Sequence, residues 1–311
     1  MFKYIIRRLL VAIPTLFLTI TLIFFGLRVL PGDPAAAMLG DNATESAVEA
    51  LREKMGLNEP LWKQYVDYLG SLLQGDLGYS FISNASVSSQ LFSVFPDTLK
   101  LTLAGIFFGC LIGMPLGIFS ALRQNTKTDG FLRFISMIGV SIPPFLLGIY
   151  MILIFSLKLN LFPSNGTGQG FIDELHHLFL PALTIGLILS ATIMRYTRSS
   201  MLDEINQDYI RTARAKGIPE RIVVYKHVLR NTLIPVITII GVQMTGLLSG
   251  AVITEAIFSR PGLGSLALGA ITTRDFPVLQ GALILFSVAV VAVNLLVDIS
   301  YSIINPKIRA K

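Results

Sequence analysis

The chain has 311 residues, of which 53% are hydrophobic and only 14% are charged, and its mean hydropathy is +0.68. Because an ordinary soluble domain has about 25% charged residues, these values exclude a soluble protein and predict one that faces lipid. The net charge of +6 does not indicate nucleic-acid binding, since the basic residues lie in short loops between apolar segments. The single cysteine, Cys110, excludes a disulfide within the chain and is predicted to be an inert core thiol.

The first predicted element is an apolar segment near the N-terminus. Lys3, Arg7 and Arg8 precede it, as they would in a signal peptide. The apolar run covers 9–30, however, which is longer than the roughly 7–15 residues of a signal sequence, and no small-residue cleavage pattern follows. We therefore expect a retained first membrane span.

Apolar segments long enough to cross a membrane recur along the chain. A helix rises about 1.5 Å per residue, so about 30 Å of hydrocarbon takes roughly 20 residues. The segments that qualify, or nearly do, are 9–30, 99–122, 134–157, 179–194, 233–258 and 281–304. The fourth is short, and Pro181 suits a helix beginning there. The sequence thus predicts an all-α polytopic membrane protein with six transmembrane helices.

Glycine and proline recur inside these spans. Gly105, Gly109 and Gly113 lie in the second span, where small residues let helices approach closely in lipid. Pro143 and Pro144 lie in the third span, where neighbouring helices tolerate a proline kink. These residues predict close helix packing in the second span and a kink in the third.

The connection 31–97 is long enough to have structure of its own. It contains nine carboxylates, and apolar residues at helical spacing predict helices over 44–55 and 61–74. The residues that punctuate these helices are Gly56, Pro60 and Gly75. We expect a small helical cap outside the membrane, between spans 1 and 2.

The distribution of basic residues predicts the direction of the chain. Six spans place both termini on one side, and 17 of the 25 Lys and Arg residues then lie on that side. Because positive loops stay in the cytoplasm, we expect a multi-pass protein of the bacterial cytoplasmic membrane with both termini inside. The predicted parts are an N-terminal segment with span 1 (1–30), the cap (31–97), a core of spans 2–6 (98–305) and a cytoplasmic tail (306–311).

The longest cytoplasmic connection, 195–230, is strongly basic. Its pattern predicts a helix over 202–216, ended by Gly217 in the left-handed conformation, and Pro219 suits the first position of a second helix. The small residues Thr212, Ala213 and Ala215 would let a partner's groove close on this helix. Two interpretations remain open: an amphipathic helix on anionic lipid headgroups, or a rigid elbow that transmits force between two spans.

The string Asp208-Tyr-Ile-Arg-Thr-Ala-Arg-Ala-Lys-Gly217 resembles the loop motif of the integral-membrane permeases of binding-protein-dependent ABC importers, in the dipeptide/oligopeptide/nickel branch. That motif runs Glu-Ala-Ala, three residues, then Gly. Here Arg211 and Thr212 replace its Glu and first Ala, and Pro235 leads into the fifth span. Further strings shared with the family lie along the whole chain: Leu30-Pro-Gly-Asp-Pro34, Gly75-Asp-Leu-Gly-Tyr-Ser80, Arg260-Pro-Gly-Leu-Gly264, Arg274-Asp-Phe-Pro277 and Asn305-Pro306.

The resemblance implies a type I ABC importer permease fold. It implies partners: a second homologous permease, two ATPase subunits and an extracellular or periplasmic solute-binding protein. The loop residues that would contact the ATPase are Tyr209, Arg211, Thr212, Ala213, Ala215, Gly217, Pro219 and Pro235. ATP and Mg²⁺ would bind to the ATPase subunits, and this chain would bind no cofactor of its own. Its cargo would be di- or oligopeptides, or alternatively nickel chelates or glutathione.

Charged residues near span ends are candidates for function, because charges are costly in lipid. Arg28, Glu255 and Asp298 lie near span ends, where snorkelling is cheap, so structural pairing or a pore mouth is favoured over proton relay. The residues predicted for a pore or gate are Glu255, Arg260, Gly262, Gly264 and Asp298.

Other constellations indicate little chemistry. No Gly-x-x-x-x-Gly-Lys-Ser/Thr phosphate loop occurs, and the glycine-rich 166–170 is predicted to be an external turn. His176 and His177 are adjacent and would point about 100° apart on a helix, which disfavours a shared metal ion. An ion-coupled secondary transporter remains an alternative, although six spans without an internal repeat argue against it. An intramembrane enzyme would need a catalytic pair, which the sequence lacks.

Overall fold

The structure, a computed structural model, describes the backbone of residues 2–29, 33–39 and 43–304. It describes their side chains except at 2–7, 37, 248–250, 298 and 300–304. Several predicted features lie outside the described residues: Leu30-Pro-Gly32, the Asp298 side chain, Asn305-Pro306 and the tail 306–311.

Within the described residues the chain is almost wholly helical. The helices are α1 (Phe2–Val29), α2 (Pro34–Leu39), α3 (Glu45–Lys54), α4 (Leu61–Leu73), α5 (Val87–Leu122), α6 (Lys127–Ser141), α7 (Pro144–Met151), α8 (Phe171–Ile205), α9 (Asp208–Ala215), α10 (Glu220–Ile222), α11 (Leu229–Ile257), α12 (Leu263–Thr272) and α13 (Phe276–Ile304). Two π-helical segments, Ile152–Lys158 and Val223–Val228, follow α7 and α10. Strands β1 (Tyr79–Ser80) and β2 (Ala85–Ser86) form an antiparallel hairpin in which Tyr79 pairs with Ser86.

Five helices of the described chain are long and apolar enough to span a membrane, or six if one bent pair counts as a single crossing. That pair is α6 and the helix that follows from Pro144, and it corrects the predicted continuous third span. The two halves are bent by 100° at the break. The cause is Pro144, which begins a new helix after Pro143 in extended conformation.

Two further predictions are wrong at helix boundaries. Pro181 lies inside α8, which begins ten residues earlier at Phe171. Neighbouring helices can compensate for the missing proline hydrogen bond inside a membrane. The predicted helix 202–216 is also not continuous, because α8 ends at Ile205 and α9 begins at Asp208. Gln207 is extended between them, with φ −70° and ψ 148°.

The chain divides into two compact units, which are described separately. The first comprises Met1–Arg8, Leu99–Arg260 and Ala292–Lys311, and the second comprises Leu9–Thr98 and Pro261–Val291. In the first unit α8 is the central helix, with 67% of its span buried. Apolar clusters join it to α5, α7 and α11.

A row of glycines lets α5 approach α8 closely. Gly105, Gly109, Gly113 and Gly117 recur every four residues and so share one helix face. A Cβ added at any of them would lie within 2.6–2.8 Å of an α8 atom. The close packing predicted for the second span therefore includes a fourth glycine, Gly117, and the helix packed against it is α8.

The second unit contains the predicted cap helices. α3 and α4 lie close to the predicted 44–55 and 61–74, and Thr44 Oγ1 caps α3 by accepting from Ala47 N. Gly56 and Gly75 both have positive φ after these helices. An apolar cluster joins the start of α5 to α12 and α13. The sequence reading did not predict α12 or the β-hairpin.

Candidate functional site

The segment predicted to contact an ATPase is built around the C-terminal end of α9. Gly217 has φ +75°, its N–H donates to Arg214 O at 2.9 Å, and Ile218 N donates to Ala213 O at 3.3 Å. These two bonds form the Schellman arrangement that ends a helix with a left-handed residue. The predicted role of Gly217 as a helix stop is thus confirmed. Pro219 precedes α10 as its N-cap, one position before the predicted one.

The two faces of α9 differ in burial. Ile210 is 0% exposed and Ala213 8% exposed, and both pack in a cluster with residues of α5, α8 and the π-helical start of the fifth span. The members of the cluster on those elements are Ala121, Met201, Val223, Val224 and Val228. The predicted small face is therefore wrong for Ala213, because Thr212 and Ala215 are exposed and point about 100° and about 160° away from it round the helix. One short helix thus shares an apolar cluster with the ends of three long ones.

The exposed face of α9 carries most of the predicted contact residues. Those on this face are Tyr209, Arg211, Thr212 and Ala215, and the exposed Gly217 and Pro219 follow them. Pro235 is not part of this surface, because it lies inside α11. Arg214 reaches across the turn and forms a two-point ion pair with Glu220, at 2.6 Å (Nη2–Oε1) and 3.1 Å (Nε–Oε2). This exposed pair fixes the angle of the elbow more than it stabilises the fold.

A polar clasp holds the N-terminal end of α9. Tyr209 Oη donates to Glu204 Oε1 of α8, and Asn231 Nδ2 of α11 donates to both groups, at 2.9 and 2.8 Å. Burial and the hydrogen bond with Glu204 raise the pKa of Tyr209 to about 12. The phenol is therefore neutral at physiological pH and serves as a donor to the carboxylate.

Replacing Tyr209 by phenylalanine is expected to lower stability by at most about 1 kcal/mol, because the clasp is partly exposed to solvent. The folded pKa lies above the ordinary value of 10.0, so this contribution is complete below pH 10 and falls as the pH rises toward 12. Thermal unfolding of wild type and variant at pH 7 and pH 11 measures both effects. Tyr225→Phe is the control, since that exposed tyrosine makes no hydrogen bond within the described residues. An equal loss in both variants would contradict the clasp.

A buried ion pair lies among the ends of α5, α6 and α8. Asp129, 1% exposed, accepts from Arg198 Nε and Nη2, both at 2.7 Å, from Ser120 Oγ at 2.5 Å and from Asn125 N at 3.0 Å. The carboxylate therefore ties two helices and a turn to α8, seven residues before α8 ends. Sequence reasoning missed this pair, although Asp129 is the only carboxylate in the basic stretch 123–133.

The residues predicted for a pore or gate belong to different units. In the first unit Glu255 is 0% exposed and its carbonyl accepts from Arg260 N at 2.8 Å. The Arg260 side chain is buried and forms an ion pair with Glu174 of α8. In the second unit Gly262 begins α12, its N–H donating to Ser265 Oγ at 2.9 Å, and Gly264 is buried in that helix. The Asp298 side chain lies outside the described residues.

The two histidines are turned to different partners. His176 Nε2 lies 2.8 Å from Leu161 O, and His177 Nδ1 lies 2.9 Å from Asp173 O. No group of three or more His, Cys, Asp or Glu side chains that could hold a metal ion occurs among the described residues. Segment 166–170 is irregular backbone with bends, and Gly166 N donates to Phe258 O at 3.0 Å.

Comparison with known proteins places the chain in a family. Residues 113–310 match the family described as "Binding-protein-dependent transport system inner membrane component", and residues 1–102 match the N-terminal domain of such components. The glutathione transport system permease protein GsiC of Escherichia coli (strain K12) is 41% identical over 311 residues, which cover 100% of both chains. GsiC of Shigella flexneri serotype 5b (strain 8401) matches to the same extent.

Solved structures support the same fold. A chain from the inward-facing crystal structure of the MetNI methionine ABC transporter aligns with a TM-score of 0.57 at 21% identity, covering 70% of this chain and 96% of that chain. A second crystal form of MetNI aligns with a TM-score of 0.57 at 19% identity. The helical type I permease fold predicted from the sequence is confirmed. The chain belongs to the inner membrane components of binding-protein-dependent transport systems, and it is a permease subunit of an ABC importer rather than its ATPase.

Proposed function

We propose that α9 is the coupling helix of this permease and that its exposed face docks in a cleft of a cytoplasmic ATPase subunit. The observation that supports this most directly is the apolar cluster that Ile210 and Ala213 share with the ends of α5, α8 and the fifth span. A force applied to the outer face of α9 would therefore reach three membrane helices at once. A lipid-bound amphipathic helix would instead need an apolar outer face, whereas here that face carries Arg211 and Thr212.

The proposed assembly contains a second homologous permease, two ATPase subunits and an extracytoplasmic solute-binding protein. ATP and Mg²⁺ bind to the ATPase subunits, and this chain carries no cofactor. Both termini and α9 face the cytoplasm, which the excess of basic residues on that side supports. ATP-driven closure of the ATPase pair shifts the permease between inward-facing and outward-facing states, because α9 makes different contacts in each.

The proposed cargo is a small peptide, either a di- or oligopeptide or glutathione, which is itself a tripeptide. The 41% identity with GsiC, named as a glutathione permease, favours glutathione among the alternatives. Uptake of labelled glutathione and of a labelled dipeptide by the reconstituted importer separates the two peptide candidates. Family membership removes the ion-coupled secondary transporter as an alternative.

The proposed mouth of the translocation path includes Glu255, Arg260, Gly262, Gly264 and Asp298. The buried Arg260–Glu174 ion pair supports a structural role for Arg260, which would hold the end of α11 against α8. A proton relay through Arg28, Glu255 or Asp298 is not proposed, because these residues lie near span ends, where snorkelling is cheap.

Replacing Gly217 by valine is expected to reduce uptake at least about tenfold while ATP hydrolysis by the assembled complex persists. A β-branched residue at φ +75° is strained by about 1–2 kcal/mol or more, so the helix end and the elbow must rearrange. Uptake and ATPase rates are measured in proteoliposomes. Gly166→Val is the matched control. Gly166 has a similar φ of +79°, a Cβ added there would meet no atom within 4 Å, and it lies outside the connection 195–230. Normal uptake by the Gly217 variant, or an equal loss in the control, would contradict coupling through α9.

A further inference from the structure

A cavity of about 410 Å³ lies within the second unit, and none of the residues predicted for coupling or for a pore or gate lines it. The C-terminal end of α1, the cap helices, the β-hairpin and the start of α13 surround it. This volume suits a small molecule or a lipid headgroup and is too small for a folded protein segment. Much of its wall is apolar, contributed by Leu27, Met55, Leu57, Leu77 and Phe276.

The charged groups at the cavity are all cations. Arg28 and Lys54 line it, and no carboxylate does so within the described residues. Arg28 is partly buried, yet its partners are neutral: Nε donates to Gln64 Oε1 at 3.1 Å, and the guanidinium lies 3.5 Å from the centre of the Phe24 ring. Lys54 Nζ lies 5.0 Å from the centre of the Phe81 ring. Cations that are paired only with aromatic rings and an amide keep their charge available to an anion.

Neutral donors add to this set. Tyr68 lines the cavity, and burial raises its pKa to about 12, so its hydroxyl stays protonated. The Gln280 amide is 9% exposed beside Tyr68, and its Nε2 has no well-formed hydrogen bond within the described part of the chain. A guanidinium, an ammonium, a phenol and an amide N–H thus converge without a negative charge. That donor set matches a phosphate or carboxylate.

The position of α1 identifies the environment of the cavity. Its span Arg8–Val29 is only 6% buried within the protein. Its 22 residues are about 33 Å long, enough to cross the roughly 30 Å of the hydrocarbon core. Arg28 lies in the last turn of this span, which is the depth of the headgroups. Tyr and Phe side chains near it are typical of a membrane interface.

We propose that this cavity binds the phosphate of an anionic phospholipid, with Arg28 and Lys54 as its cationic ligands and the apolar wall against the upper part of the acyl chains. The lipid would fasten the cap to the end of span 1. The site does not depend on which solute is transported or on the direction of the chain across the membrane. A negative result for the lipid site would therefore not count against the proposed coupling role of α9.

The test counts phosphatidylglycerol bound to the detergent-purified, assembled importer by native mass spectrometry during a titration. Wild type is expected to retain one more phosphatidylglycerol per copy of this chain than Arg28→Gln/Lys54→Gln, with no such difference for phosphatidylcholine. Removing each surface cation weakens lipid binding about fivefold, so the double variant should bind at this site more than about tenfold less tightly.

Two further variants keep the result interpretable if the double variant assembles poorly. Lys54→Gln alone changes an exposed side chain and should weaken binding about fivefold. Lys63→Gln is the matched control, because Lys63 is a cap cation outside the cavity that pairs with Glu59 at 2.7 Å, and it should leave the lipid count unchanged.

Equal phosphatidylglycerol binding by wild type, Lys54→Gln and Lys63→Gln would overturn the proposal. Displacement of the bound lipid by millimolar glutathione or inorganic phosphate would overturn it too, since the site would then belong to a soluble anion. The proposal requires that Lys54→Gln binds less phosphatidylglycerol than wild type. It also requires that neither glutathione nor inorganic phosphate displaces the lipid bound to wild type.

Discussion

Replacing Gly113 by leucine is expected to prevent α5 and α8 from packing and to abolish uptake. A Cβ at this position would lie 2.6 Å from the carbonyl oxygen of Ser190 and 2.9 Å from the Cβ of Ile193. Since backbone atoms of α8 cannot rotate away, the two helices must separate, at a cost of about 3 kcal/mol or more. The separation would also shift the end of α8 from which α9 continues. Thermal unfolding of the purified complex and uptake in proteoliposomes measure the two consequences.

Gly26→Leu is the control for the Gly113 variant. Gly26 lies in the exposed span of α1, and a Cβ there meets no atom within 4 Å. It should therefore accept leucine with stability and uptake close to wild type, as lipid-facing positions do. A Gly113→Leu protein that unfolds and transports like wild type would show that α5 and α8 do not pack through the glycine row.

Removing either member of the Asp129–Arg198 pair is expected to cost about 3 kcal/mol or more. The carboxylate is 1% exposed and receives four hydrogen bonds, so Arg198→Ala leaves a charge in a site closed to water, and Asp129→Ala leaves a guanidinium without its partner. The double variant should cost little more than the worse single variant, because neither charge is then left alone. A double-mutant cycle measured by thermal unfolding gives this coupling.

The exposed Arg214–Glu220 pair is the matched control for that cycle. It has the same two-point geometry, yet both side chains are about half exposed, at 40% and 59%. Its coupling energy should be about 0–1 kcal/mol. A cycle at Asp129 and Arg198 that gives no more coupling than this control would contradict a structural role for the buried pair.

The parts of the fold that depend on composition could be predicted from the sequence. Runs of apolar residues are long enough to mark the spans. Gly56, Gly75 and Gly217 mark helix ends because glycine adopts positive φ without strain. The bend at Pro144 and the start of α8 could not be predicted in detail. A proline in lipid either begins a helix, as Pro144 does, or lies inside one, as Pro181 does, and the neighbouring helices decide which.

A sequence motif indicates the proposed coupling segment, whereas its packing required the structure. The motif indicates Gly217 and the exposed residues of α9. It does not reveal that Ile210 and Ala213 face inward, since one isoleucine and two alanines in an eight-residue helix carry little periodic signal. Asn231 and Arg198 were missed because their partners are distant in sequence, 22 residues for Asn231 and Tyr209 and 69 residues for Arg198 and Asp129.

The contacts around α9 form a continuous mechanical connection. Its inner face packs against α5 and α8, and the Tyr209 clasp joins it to α11. The Asp129–Arg198 pair ties α6 to α8, and the glycine row ties α5 to α8. A displacement of α9 would therefore move these helices together rather than bend one of them.

Cysteine labelling of Thr212 tests the position of α9 most directly. Thr212→Cys is made in a Cys110→Ser background, because Cys110 is the single native cysteine, and is treated with a membrane-impermeant maleimide. We expect no labelling in intact cells, full labelling in inverted vesicles of the permease alone, and protection when the ATPase subunits are bound. Labelling in intact cells, or equal labelling of inverted vesicles with and without the ATPase, would contradict a coupling helix that docks on the ATPase.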